Sequence, residues 1–270
     1  MKNFSITTTI VLLFFLALGV NALESEKILI QNATVITASD SQVLENTDLL
    51  IESGVIVTIG NDLVADGAIQ IDASNQIVTP GLIAPHSQIG LMEIQLERET
   101  RDDSTKYFSA GFSIVNAFNP SSTLIPYNRS GGITSAIVIP SAAKANYSGL
   151  ASVFKLDGEL DSDFISKDIA MAISFGAGSD SRASQILLLE DAFNKALRFN
   201  ASKEQYRILA DFDYDDHTIR DLEAILRVLN KEIPLIVRSN RAKDLLRMIS
   251  IAKQYDVKII FLGAKESWRI

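Results

Sequence analysis

The chain changes its rhythm of apolar and polar positions near residue 77. From Lys27 to Ile77, short apolar runs follow one another: Ile28 to Ile30, Thr34 to Ile36, Leu49 to Ile51, Val55 to Ile59 and Ile69 to Ile71. β-Branched side chains fit a pleated surface, and Ser53-Gly54 and Asp72-Ala73-Ser74-Asn75 supply turns between the runs. The pattern predicts a small β-sandwich over residues 23–77. After Ile77, apolar strands alternate with longer helical patterns, the order of parallel β/α units. Strands are predicted at Ile77 to Ile83, Ile133 to Ile139, Ile169 to Ser174, Arg207 to Asp211, Pro234 to Val237 and Val257 to Leu262.

Two helices stand out among these strands. His217 to Leu229 places Ile219, Leu222, Ile225, Leu226 and Leu229 on one face, with Asp215 and Asp216 where an N-cap belongs. Ala242 to Tyr255 repeats the pattern with Leu245, Leu246, Ile249 and Ile251. A closed (β/α) barrel needs eight strands and six are counted. The fold class expected is therefore α/β: an incomplete TIM-like (β/α) barrel over residues 78–270, preceded by the small β-sandwich. An open parallel sheet leaves an unpaired edge, which suggests a fragment of a longer reading frame.

The first 22 residues have the form of a secretory signal peptide: Lys2, an apolar run from Ile10 to Leu18, then Val20-Asn21-Ala22 with cleavage expected after Ala22. The run is shorter than the roughly 20 apolar residues that span a bilayer, so no stable membrane insertion is expected after cleavage. Among 270 residues, 33 acids against 25 bases and no basic cluster argue against a nucleic-acid partner. The chain has no cysteine, which excludes a thiol nucleophile and a disulfide-built module and fits a bacterial periplasmic protein. The partners expected are a small-molecule substrate or ligand and further copies of the chain.

Chemistry concentrates in Val78-Thr79-Pro80-Gly81-Leu82-Ile83-Ala84-Pro85-His86-Ser87-Gln88-Ile89-Gly90. With Ile28 to Ile36, Ile51 to Ile56, Ile71 to Ala73 and Gly131-Gly132-Ile133-Thr134-Ser135, this run resembles the amidohydrolase superfamily, especially its imidazolonepropionase-like branch. The resemblance implies a β-sandwich joined to a TIM-like barrel, and hydrolysis of carbon-nitrogen bonds with one or two divalent metals, zinc or similar. It also implies Asp-x-His-x-His after Pro-Gly-Leu-Ile, so that Ala84, His86 and Gln88 occupy the positions of the Asp and two His ligands. Residues two apart on a strand share a face. Only His86 keeps the ligand chemistry, and a glutamine amide at Gln88 is a poor zinc ligand beside neutral imidazole. The resemblance places a fifth-strand His near Arg238 and a sixth-strand His at Leu262.

A catalytic zinc site holds three protein ligands plus water, whereas the chain has two histidines. His86 is read either as a weak ligand or as a hydrogen-bonded strand-end histidine without metal. His217 is read as a surface residue opening a helix, at the opposite end of its β/α unit. Substrate-binding candidates are Gln88, Arg238 and Asp211, the last because it ends a predicted strand. No Gly-x-Ser-x-Gly elbow occurs, and Gly176 to Arg182 lacks the Lys-Ser/Thr ending of a P-loop. The acidic runs Glu97 to Asp103 and Asp211 to Asp216 read as solvated surface and a helix cap. Two functions remain in play: an exported amidohydrolase that cleaves a carbon-nitrogen bond with metal-activated water, and a catalytically impaired relative that binds a ligand or joins an assembly.

Overall fold

Ser53 and Gly54 both take positive φ, 49° and 78°, the backbone of a two-residue hairpin turn. They join β2 (Val43–Glu52) to β3 (Val55–Gly60), and β2 also pairs antiparallel with β1 (Lys27–Ile36). A second turn forms where Asp72 accepts hydrogen bonds from the Ser74 amide at 3.0 Å and its hydroxyl at 2.6 Å. It follows β4 (Ile69–Asp72), which lies parallel to β1, as does β5 (Ile77–Val78). These elements come from a computed structural model that describes residues 26–39, 43–161, 163–177, 180–202 and 217–270. The signal peptide expected at 1–22 and the strand expected at Arg207 to Asp211 lie outside the described residues.

The chain divides into two compact units at Pro80 and Gly81. Among the described residues, the first unit is one five-stranded mixed sheet of order β3-β2-β1-β4, with β5 also on β1, rather than the two facing sheets of the expected sandwich. Ala33, Val35, Leu49 and Ala73 form its small core. Val55, Ile56, Val57 and Ile59 remain exposed, so β3 lacks the covering layer that a sandwich would provide.

The second unit is built on six strands: β6 (Leu82–Ser87), β7 (Ile133–Val138), β8 (Tyr147–Lys155), β9 (Phe164–Ser174), β10 (Leu235–Ser239) and β11 (Ile259–Gly263). They line up in sequence order, β6 to β11. Every pair is parallel except those of β8, which runs antiparallel to both β7 and β9. β8 was not among the predicted strands, because Tyr147-Ser148-Gly149-Leu150-Ala151-Ser152 has neither alternation nor a long apolar run.

One face of the sheet carries a thick layer of helices. α1 (Leu124–Ser130) lies near β7, while α2 (Arg182–Ala201), α3 (Ile219–Leu229) and α4 (Ala242–Tyr255) follow β9 and β10. Phe193, Phe199, Ile225, Leu235 and Met248 are fully buried between helices and strands, and burial of each such side chain contributes about 1.5–3 kcal/mol. The other face buries Ile139, Ala151, Ala170, Ala172 and Ile236, with Ile137, Ile169 and Leu262 packed against them. The sheet curls toward that face, which brings side chains of β6 and β10 within reach of each other. Thr218 caps α3, and Asp215 and Asp216, the cap expected from the sequence, lie outside the described residues. Thr218 accepts from the Asp221 amide at 3.2 Å, and Asp221 accepts from the Thr218 amide at 2.9 Å, a reciprocal cap. Among the described residues no helix is long and apolar enough to cross a membrane.

Candidate functional site

A bulge in β6 decides which side chains reach the site. Ala84 stands opposite Ala136 and Ser87 opposite Val138, so three steps on β6 match two on β7. Ala136 and Val138 belong to the cluster that packs with Ile125 of α1, and Ala84 packs against that cluster too. The extra residue therefore shifts the alternation: Ala84 faces the helix side, and His86 emerges on the concave side. The expectation that Ala84 and His86 share a face fails here, because Pro85 lies inside a register shift and period-two counting does not survive one.

On the concave side His86 meets Arg238. Nη2 of Arg238 lies 3.0 Å from Nε2 of His86, across 152 residues of sequence. A guanidinium can only donate, so Nε2 accepts and the ring is the neutral tautomer protonated at Nδ1. Burial holds the His86 imidazole below its ordinary range, and the positive charge of Arg238 lowers it further. In β10, Arg238 is paired with Ser174 of β9 on one side and Leu262 of β11 on the other. A cleft of 340 Å³ is lined by His86, Gln88, Met92, Leu124, Asn128 and Arg238. The structure thus brings together His86, Gln88 and Arg238, while Asp211 lies outside the described residues. Met92 and Asn128 join the cleft without a sequence signal, because the loop after β6 and the helix α1 bring them there.

The donor set does not fit a divalent cation. Nε2 of His86 already accepts a hydrogen bond from a fixed cation, and neutral imidazole needs that lone pair to ligate. Among the described residues no group of three or more His, Asp or Glu side chains converges anywhere. Arg238 and Leu262, where the resemblance would place histidines, add a positive charge and an aliphatic side chain.

Two other readings are corrected. His217 is not an outlying surface residue. Its ring lies edge-on to Tyr147, with centroids 6.1 Å apart, in a cavity beside Ser174 and Phe175 at the C-terminal end of β9. It thus stands at the C-terminal end of a sheet strand rather than at the opposite end. Asp103 is not solvated surface either: it is fully buried and takes two bonds from Arg101, Nε at 3.1 Å and Nη2 at 2.9 Å. Burial alone would raise its carboxyl, but the bonds and charge of Arg101 hold it below the usual carboxylate range. In the segment Gly176 to Arg182, the Gly176 amide donates to Gln185 and Arg182 pairs with Asp244 at 2.9 Å, contacts that tie the turn to α2 and α4.

No family model matches the chain, and no curated protein does. Among solved structures, an amidohydrolase from Thermotoga maritima MSB8 superposes with a TM-score of 0.73 at 24% identity, over 90% of this chain and 66% of that one. A D-hydantoinase overlaps with a TM-score of 0.36 at 15% identity, covering 88% of this chain and 57% of its own. A β-aspartyl dipeptidase from Fervidobacterium islandicum AW-1 gives 0.37 at 16% identity, covering 87% and 64%. These last two overlaps are too loose to bear on the site. The chain spans about two thirds of the length of the Thermotoga protein. The curled sheet with its helical layer on one face is a fold shared with that Thermotoga protein.

Proposed function

We propose that this is an exported protein of amidohydrolase type whose cleft binds the carboxylate of a small amide-bearing molecule. Arg238 is the carboxylate clamp, with Gln88 and neutral His86 beside it. The single observation that carries the reading is the 3.0 Å bond from Arg238 to His86. It pins the guanidinium at the cleft with one of its five N–H donors and leaves the planar fork suited to two parallel bonds to a carboxylate.

The fold favours a second reading, in which the bound molecule's carbon-nitrogen bond is hydrolysed, as the name of the Thermotoga neighbour suggests for that protein. In relatives of this type a divalent metal polarises the carbonyl and activates water. The described residues around His86 do not fit such an ion, so hydrolysis here would depend on groups outside them, Asp211 among the candidates.

Calorimetric titration with N-acetyl amino acids and their uncharged amides, followed by chromatography of the same mixtures, tests both readings. Carboxylate-dependent binding without turnover supports the clamp, and release of amine supports hydrolysis. Equal or absent binding of acid and amide overturns the carboxylate site. Export rests on residues 1–22 and is tested by the mass of the mature chain, expected to begin at Leu23.

A further inference from the structure

A second cavity, of 280 Å³, lies on the helix side of the sheet at the C-terminal end of β9. Ile173 of β9, Phe175 just past its end, and Leu188 and Leu189 of α2 give it apolar walls, while Ser109, Lys144, Asn146, Gln185, Tyr147 and His217 complete the lining. Ile173, Phe175 and Leu189 belong to the helix-packed core, whereas Arg238 follows Ile236 on the concave face. The two hollows therefore sit on different faces of one sheet.

The Tyr147 side chain carries the inference. Only 6% of the residue is exposed, and its hydroxyl meets no hydrogen-bond partner among the described residues. Roughly nine in ten buried polar groups in folded proteins are bonded, so a buried hydroxyl without a partner at a cavity calls for an explanation, and a bound molecule is one. Burial, and then the charge of Asp221, push the phenol far above its ordinary range. It stays an O–H donor at any working pH. Asp221 and Lys144 bring opposite charges to its surroundings, so neither sign of ligand is favoured. Asp221 keeps that charge although burial opposes it, because the Gly111 amide at 2.7 Å and the Thr218 amide and hydroxyl donate to it. The volume is close to the lower bound, about 300 Å³, for pockets that take small molecules.

We propose that this cavity is a binding site for a neutral, mostly apolar small molecule that presents one hydrogen-bond acceptor to the Tyr147 hydroxyl. Apolar walls supply the affinity and the unpartnered Tyr147 hydroxyl sets the orientation. The site is independent of the carboxylate cleft, since it shares no lining residue with it.

The test compares acetophenone with ethylbenzene, two molecules of nearly the same shape of which only the first carries an acceptor. Methyl resonances of Ile173, Leu188 and Leu189 are followed by NMR on the full chain. Acetophenone is expected to shift them saturably and to bind about 3–10-fold more tightly than ethylbenzene, the equivalent of one neutral hydrogen bond. In Tyr147→Phe the two affinities become equal, and in Leu189→Trp, which fills the hollow, both are lost. Should either variant fail to fold, the comparison on the unaltered chain still decides. No saturable shift with either compound at millimolar concentration overturns the site, as would a water serving the hydroxyl so well that the two compounds bind alike. A preference for acetophenone that survives Tyr147→Phe overturns the role of the hydroxyl.

Discussion

Arg238 on β10 donates to His86 on β6, although three strands stand between them in the sheet. Strands lie about 4.8 Å apart, so four spacings of a flat sheet would separate the two backbones by roughly 19 Å. Their side chains meet only because the sheet curls. The contact is thus a direct consequence of the barrel-like curvature, and it uses the lone pair by which His86 would otherwise hold a metal.

Replacing Arg238 tests the clamp. Arg238→Ala is expected to weaken binding of an N-acetyl amino acid about 10–100-fold, the equivalent of a lost charge-assisted bond of about 1.5–3 kcal/mol. Arg238→Lys keeps the charge but loses the planar fork, so it should recover only part of the affinity. Calorimetry on the three proteins reads the order directly.

The pH dependence follows from His86. Its folded pKa lies below the ordinary 6.5, so the unfolded chain takes up a proton first as the pH falls. The site's contribution to stability is therefore intact above 6.5 and is lost as pH falls from there through the depressed folded value. NMR titration of the His86 ring should show a pKa below 6.5. Arg238→Ala should move it upward without restoring the ordinary value, because burial is the larger cause.

The Arg101–Asp103 pair makes a stability prediction. Asp103 is fully buried and the Arg101 side chain is 31% exposed, so Arg101→Ala strands a buried charge. Loss of its cation leaves the Asp103 carboxylate buried and uncompensated, so Arg101→Ala should be clearly destabilising. Asp103→Asn, which removes the charge but keeps the shape, should cost less. Urea denaturation of both variants distinguishes them.

Much of this architecture could be read from the chain. Ala242–Tyr255 forms the helix that its 3.6-residue pattern indicates, and Ile133, Leu235 and Ile259 begin strands close to where their apolar runs do. The expectation that Ala84 shares the face of His86 failed at a bulge, which leaves no mark on composition. β8 escaped notice because its strand carries Gly149 at φ 121°, where the backbone crosses Phe112 instead of following an alternating pattern. Asp103 looked like surface because charge runs usually are, and its partner Arg101 two residues away became legible only in three dimensions. His86, Gln88 and Arg238 were found through the resemblance, but their convergence needed the curl of the sheet.

Gly149 gives a fourth prediction. A Cβ added there would lie 2.5 Å from the Phe112 carbonyl oxygen, which accepts the Leu150 amide at 2.8 Å. Gly149→Ala should destabilise the second unit by about 1–3 kcal/mol through strain at positive φ, whereas Gly132→Ala meets open space and carries the φ penalty alone. Thermal unfolding of the pair reads the difference.

The account turns on what the Nε2 lone pair of His86 does. With two histidines in the chain, ¹⁵N-histidine NMR assigned with His86→Gln reports that atom separately. The account predicts an acceptor nitrogen bonded to Arg238, unchanged by equimolar zinc. A zinc-dependent shift of His86 Nε2 that saturates at one ion per chain would contradict it.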